Sequence, residues 1–145
     1  MSKQTEIVAT YFEKSDAQDP SLAELFTDDL ELYFPKFGVG KGKMAFMELG
    51  GGFVKAVASI AHRRDEFLVI EQGDHVVVEG TTFGKGQNGK EWSGGETSGG
   101  RFCSVFHFRE TADGPKICRM HIYLDPDYTG DNTSGFLWGE DRPSW

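Results

Sequence analysis

The sequence predicts an α+β fold in which helices cover one face of an antiparallel sheet. Two observations lead there. Apolar residues recur at helical spacing in the first part of the chain, and at every second position in most of the second part. The helical patterns come first and the strand patterns later, which is the order of segregated helices and sheet rather than of alternating βαβ units. A chain of 145 residues points to one domain, spanning 1–145, with residues 126–145 as a C-terminal tail.

The elements follow in order. QTEIVATYFEK (4–14) places Ile7, Val8, Tyr11 and Phe12 on one helical face. Residues 15–20 form a polar break. PSLAELF (20–26) reads as a second, short helix with Pro20 in its first turn, where a missing N–H is harmless. DDLELYFP (28–35) alternates Leu30, Leu32 and Phe34 against Glu31 and Tyr33, a strand stopped by Pro35. KFGVGKGK (36–43) reads as a glycine-rich turn. It lacks the G-x-G-x-x-G pattern, and Met44 stands where a phosphate loop needs Ser or Thr.

A third helix is expected from Lys43 to about Ile60, with Met44, Met47, Phe53, Val54 and Val57 as its apolar face. Gly50, Gly51 and Gly52 interrupt it, and each glycine costs about 1 kcal/mol against alanine. The triplet therefore marks a kink, a break or a close approach of another backbone. HRRDEFLVIEQ (62–72) and HVVVEGTTFGKG (75–86) read as strands separated by a turn at Gly73. GQNGKEWSGGETSGG (86–100) is too glycine-rich for a continuous strand and reads as a mobile connection. RFCSVFHFRE (101–110) and KICRMHIYLD (116–125) form a closing hairpin around Asp113-Gly114.

Composition narrows the function. The formal net charge is -8 and the pI is about 4.9, so the surface repels phosphate backbones and nucleic acid is excluded as a partner. No apolar run reaches the roughly 18 residues of a membrane span, and no apolar segment follows the N-terminal lysine as a signal peptide would require. A cytoplasmic protein is expected. Cys103 and Cys118 are then expected to be free, and Asn132-Thr133-Ser134 is a chance sequon. His62, His75, His107 and His121 show no close paired spacing, so no metal site is expected.

In a half-buried hairpin the uniformly apolar row faces the core. Cys118, Met120, Ile122 and Leu124, with Phe102, Ser104, Phe106 and Phe108, are therefore expected inside. Arg119, His121, Tyr123 and Asp125, with Cys103, Val105, His107 and Arg109, are expected outside.

Four pieces in sequence order resemble the nuclear transport factor 2-like superfamily, in its SnoaL-like group, over residues 5–128. They are IVATYFEK, LAELFTDDLELYFP, GDHVVVEGTTFG and VFHFRETADGPKICRMHIYLDPD. The resemblance implies a cone-shaped curved sheet, an α+β barrel packed on three N-terminal helices. It also implies an internal pocket and often a homodimer formed through the outer sheet face. The group includes ketosteroid isomerases, limonene epoxide hydrolases and polyketide cyclases, and the fold alone selects none of these activities.

The family's chemistry transfers poorly. The isomerase base precedes the first-strand proline, a place held here by Phe34. Tyr11 matches the isomerase oxyanion tyrosine, and Ser104 takes the place of its second donor. The hydrolase carboxylate position falls on Ile122, while Asp125 matches a later aspartate of the same pattern.

Candidate catalytic residues are Tyr11, His62 and Glu79, the last only if it faces inward. Each has a plainer reading: a core tyrosine, a solvated strand edge, and an exposed or dimer-facing glutamate. Candidate ligand contacts are Phe34, Trp92, Ser104, Phe106, Met120, Ile122 and Leu124. Trp92 and the tail residues Phe136, Leu137 and Trp138 either cap the pocket or pack on a partner subunit. Asp125 is either a rim carboxylate or a strand-ending turn residue. Two functions compete. One is a cofactor-independent isomerase, cyclase or dehydratase acting on a hydrophobic small molecule. The other is a non-catalytic binding or dimeric assembly module.

Overall fold

In the computed structural model of the protein, residues 1–132 are described; the tail residues Phe136, Leu137, Trp138 and Trp145 lie outside them, as do Thr133 and Ser134 of the sequon. The first helix, α1, spans Lys3–Asp16. Ser2 caps it, its hydroxyl accepting from the Thr5 N–H at 3.1 Å. Val8, Tyr11 and Phe12 form its buried face. Pro20–Leu25 is a 3-10 turn, capped by the Asp19 carboxylate accepting from Ser21 N–H at 2.9 Å. Strand β1 (Phe26–Phe34) buries Leu30 and Leu32.

The expected glycine-rich turn contains a short strand, β2 (Gly38–Lys41), paired back onto β1. Helix α2 then runs from Gly42 to Ala56, shorter than the expected span, because residues Val57–His62 form strand β3. Three of the residues assigned to its apolar face, Met44, Met47 and Val54, are exposed. Ala45, Phe46, Leu49 and Phe53 pack inward instead. The helix passes through Gly50–Gly52 unbroken, and a Cβ added at any of the three would meet nothing within 4 Å. Neither a break nor a close approach explains the triplet.

A 3-10 turn (Arg64–Glu66) separates β3 from β4 (Leu68–Gln72), where one strand had been expected. Strands β5 (His75–Gly86), β6 (Glu91–Ser93), β7 (Arg101–Thr111) and β8 (Gly114–Leu124) complete the sheet. The expected mobile connection thus carries a strand, and its Trp92 is buried. The strand order is β2-β1-β8-β7-β5-β3, with β4 and β6 also paired to β5. Every pairing is antiparallel except β1 with β8, which is parallel. Helices and one curved, unclosed sheet make the α+β cone that the sequence predicts, with two α-helices and short 3-10 turns among the described residues in place of three helices.

Strand β5 makes the curve. Its first half pairs with β4 and β7, and its second half with β3 and β6. The change of partners falls at Gly80–Thr82. A Cβ on Gly80 would stand 2.6 Å from the Phe67 ring, so only glycine lets Phe67 and Phe102 close over this bend.

The β7–β8 hairpin has the expected sidedness, with one correction. Ser104 pairs with Ile122 and Phe106 with Met120, but the register slips between His107 and Phe108. Ile117 takes the inner place opposite Phe108, and Cys118 leaves the inner row as the extra residue of the bulge. Its thiol donates to the His107 carbonyl at 3.4 Å, and both cysteines are free.

These placements separate residues that matter to stability from those that do not. Phe106 is 0% exposed and packs on the rings of Tyr11 and Phe12. Phe106→Ala is expected to destabilise by about 3–5 kcal/mol. Gly51→Ala, in an open helical position, is expected to stabilise by about 0.5–1 kcal/mol. Chemical denaturation of the two variants checks both signs.

Candidate active site

The helices and the inner face of the sheet enclose a cavity of about 150 Å³, or about 730 Å³ with the space at its mouth. Its walls are mostly aromatic: Tyr11 and Phe12 from α1, Phe46 and Phe53 from α2, Phe34 from β1, Phe102 from β7, and Tyr128 after β8. Leu49, Ile60, Ile122 and Leu124 fill the remaining apolar wall. A volume near 150 Å³, open at one side, accommodates one benzene-sized ring. A larger ligand keeps one ring inside and extends through the mouth.

The polar groups on this wall are few. His62 ends β3 and sits against the rings of Phe12 and Phe102, with centroid distances of 4.9 and 5.2 Å. Its Nδ1 lies 2.6 Å from Oδ1 of Asp16, the last residue of α1. The His62 backbone N–H donates to Oδ2 of the same carboxylate at 3.2 Å. A carboxylate only accepts, so Nδ1 carries a proton; in the neutral ring the lone pair is then on Nε2, which has no hydrogen-bond partner among the described residues. Both side chains are largely buried, and Arg64 lies 3.5 Å from Asp16 on the outer side.

Besides Thr82, four residues bring hydroxyls to the border of the same cavity: Tyr11, Ser15, Ser104 and Tyr128. None of these hydroxyls has a hydrogen-bond partner among the described residues. Burial pushes the phenols of Tyr11 and Tyr128 above the ordinary tyrosine range; nearby Asp16 adds to the first effect and Tyr11 to the second. Both therefore stay protonated and can donate. Thr82 also borders the cavity, but its hydroxyl is engaged by the Trp92 indole N–H at 3.0 Å and by the Gly100 carbonyl.

The candidates chosen from sequence divide by place. Tyr11, His62, Phe34, Ser104, Ile122 and Leu124 border the cavity. Phe106 and Met120 do not; they are wholly buried beneath it, in the core under α1. Trp92 does not cap it either. The indole packs, tilted by 34°, behind Tyr128 at 4.8 Å and against Val57, backing the wall from outside. Glu79 is exposed on the outer face, opposite Leu68 and Cys103, which removes it as a base. Asp125 accepts from the Asp127 N–H at 2.9 Å, the strand-ending turn of its plainer reading.

Two members of the site escaped the sequence reading. Asp16 sat in a stretch read as a polar break, and Tyr128 in a segment assigned to the tail. The signal for Asp16 was its place at a helix end beside a one-sided aromatic helix. Tyr128 is drawn in by backbone proximity: a Cβ on Gly99 would stand 2.2 Å from the Tyr128 carbonyl oxygen, so glycine is needed there.

The outer face holds a separate ionic group. His121, 8% exposed, lies with Nε2 2.9 Å from Glu31, and Arg119 donates to its Nδ1 at 3.0 Å. Hydrogen bonds from Lys41 and His121 hold the Glu31 carboxyl down at about 2. His107 is likewise outside, so neither histidine reaches the cavity.

The sequence profile of the SnoaL-like domain family matches residues 8–120. No curated protein matches the chain at a significant level. An NTF2-like protein of unknown function from Burkholderia pseudomallei superposes with a TM-score of 0.73, covering 88% of this chain and 94% of its own at 18% identity. A provisionally named polyketide cyclase from Pseudomonas putida gives 0.70, covering 88% and 96% at 18% identity. TerC, co-crystallised with polyporic acid, gives 0.70, covering 86% and 92% at 21% identity. These likenesses establish the fold.

The Asp16–His62 geometry makes a spectroscopic prediction. Imidazole nitrogen NMR, at a pH where the ring is neutral, is expected to show His62 as the Nδ1–H tautomer. Asp16→Asn is expected to shift the ring toward the Nε2–H tautomer, because the amide offers a donor where the carboxylate only accepts. An unchanged tautomer in that variant contradicts the assignment.

Proposed function

The chain belongs to the SnoaL-like domain family, and we propose that it binds a hydrophobic, aromatic small molecule in the cavity and moves a proton on it without a cofactor. One observation carries this reading. The wall of an aromatic cavity presents an oriented imidazole with a free Nε2, together with hydroxyls that have no other partner. Among the described residues only Thr27 Oγ1 is a fully buried side-chain polar atom without a partner, so the unpaired hydroxyls of the cavity wall are reachable from the cavity and suited to a ligand's oxygen atoms.

In this proposal His62 Nε2 removes a proton from a carbon next to a ligand carbonyl. Asp16 holds the ring and offsets the charge of the imidazolium that forms. Tyr11, Tyr128 and Ser104 donate hydrogen bonds to the developing enolate oxygen, which needs neutral donors rather than phenolates. The enolate then has three exits. It takes the proton back at another carbon, attacks a second carbonyl in the same molecule, or expels a β-hydroxyl. These correspond to isomerisation, cyclisation and dehydration. Asp16–His62 supplies the base that the isomerase pattern lacks at Phe34.

A thermal-shift screen of aryl ketones, aromatic polyketides and polyporic acid tests binding. A ligand of the cavity raises the melting temperature of the wild type and not of Ser104→Phe, whose ring occupies the space. With such a ligand in D₂O, deuterium incorporation at the carbon next to the carbonyl tests catalysis. His62→Gln is expected to slow exchange by about 100- to 10,000-fold. Binding with equal exchange in that variant leaves the protein a binder and removes the enzyme.

A second reading, assembly into a homodimer, is favoured by the outer face. Ile70, 53% exposed, lies in register with Val77 and Val105, and exposed Leu68 and Tyr123 stand at the two ends of the adjoining row, with Glu79 and Cys103 between them. We propose that a second copy covers this face. Sedimentation is expected to give a dimer in the wild type and a monomer in Ile70→Lys; a wild-type monomer refutes the proposal.

A further inference from the structure

The outer face carries a second group of side chains that the proposed chemistry does not use. His75 and His107 stand directly opposite each other on β5 and β7. Their rings are stacked, with centroids 4.3 Å apart and planes 4° from parallel. Both turn to one carboxylate, that of Asp74. His75 Nδ1 lies 2.8 Å from Oδ1, and His107 Nε2 lies 2.9 Å from Oδ2. The three candidate donor atoms lie within 4.8 Å of one another. We propose that Asp74, His75 and His107 bind a borderline first-row divalent transition metal, of the zinc, nickel or copper class, with solvent completing the coordination.

The donor set selects that class. Two imidazole nitrogens and one carboxylate oxygen suit zinc, copper and nickel, whereas magnesium and calcium require oxygen donors. Tetrahedral zinc with bonds of about 2.0–2.1 Å needs its donor atoms about 3.3 Å apart. To converge on one ion the two imidazoles must turn out of their present parallel stack, and all three side chains are at the surface, between 34% and 59% exposed, where such rotation is least hindered. The two imidazole protons now donated to Asp74 have no place beside the metal at those nitrogens, so metal binding replaces them.

The backbone beneath the group is held on both sides. Asp74 sits in the β4–β5 turn after Gly73, whose φ is +59°. The Asp74 carbonyl accepts from the Phe108 N–H at 2.8 Å, which locks the turn to β7. The Gly73 carbonyl accepts from the Gln4 side chain at 2.9 Å, which locks it to α1. Thus the positions of all three ligands are set by sheet register and by these two tethers. The neighbouring cation Arg109 is paired with Asp29 through both guanidinium nitrogens, so it does not oppose a metal ion. The net charge of -8 favours a cation.

Titration calorimetry of untagged, chelator-treated protein with zinc tests the site, and cobalt(II) absorption reports its geometry. The wild type is expected to bind one zinc per chain, with an intense visible cobalt band that zinc abolishes. His75→Ala, His107→Ala and Asp74→Asn are each expected to weaken zinc binding about tenfold or more. His121→Ala, on the neighbouring strand β8 but outside the donor set, is expected to retain the wild-type affinity. Circular dichroism confirms that each variant is folded. Absence of zinc binding, equal binding by the three ligand variants, or equal occupancy by magnesium overturns the proposal. The result does not depend on the cavity, because His62→Gln leaves all three ligands in place.

Discussion

The pairing of β7 with β8 decides which chemistry faces which way. Ser104 opposite Ile122 and Phe102 opposite Leu124 put one hydroxyl and an apolar wall on the cavity side. The same register sends Cys103, Val105, His107, His121 and Tyr123 to the other side. A slip of one residue would exchange the two sets and carry the histidines inward. The register is secured because the inner row is large and apolar: Phe102, Phe106, Phe108, Ile117 and Met120 are all buried, and each would become exposed on slipping. At roughly 1.5–3 kcal/mol for burying one such side chain, the penalty for a slip far exceeds any gain from pairing the outer polar groups differently. The bulge at Cys118 does not disturb this. It restores Ile117 to the inner row after the slip at His107–Phe108.

Much of this was legible in the sequence. Alternation in 101–110 and 116–125 gave the two faces, and the turn at Asp113-Gly114 joined them. The helical spacing of Val8, Tyr11 and Phe12 placed α1 against the sheet. What failed has physical causes. The apolar face of α2 was misread because methionine and valine also occupy exposed helical positions, while the buried stripe of Ala45, Phe46, Leu49 and Phe53 runs beside it. Val57–His62 was absorbed into the helix because a short apolar run satisfies either period. Cys118 was misplaced because a bulge breaks strict alternation without leaving a composition signal.

The candidate site shows the same limit more sharply. Tyr11 and Ser104 lie on elements whose sidedness can be read, and His62 lies at the junction of the expected third helix and the next strand; all three border the cavity. Asp16 was missed, since its partner is His62, 46 positions away in sequence. That contact exists only because the end of α1 packs beside the end of β3. Tyr128 was missed because it follows the last strand, where periodicity has stopped. Trp92 reads in sequence as either a pocket cap or a partner contact, but its indole N–H is satisfied by Thr82 and its ring lies behind Tyr128. A buried tryptophan with its N–H paired is a wall component rather than a gate.

The histidines extend this argument. Sequence spacing finds metal ligands on one helix or one loop, where donors lie a few positions apart. It is blind to donors brought together across a sheet, since His75 and His107 are joined by the β5–β7 register and not by proximity along the chain. The two faces of one sheet therefore organise their imidazoles by opposite means. Inside, a single ring is desolvated by Phe12 and Phe102 and held by one carboxylate, which leaves one nitrogen free for a proton. Outside, two stacked rings share one carboxylate in water, each nitrogen directed at one of its oxygens. The first arrangement suits proton transfer because it isolates one basic atom. The second suits a cation because it converges three donors, and the alternating geometry of the strands keeps the two from interfering.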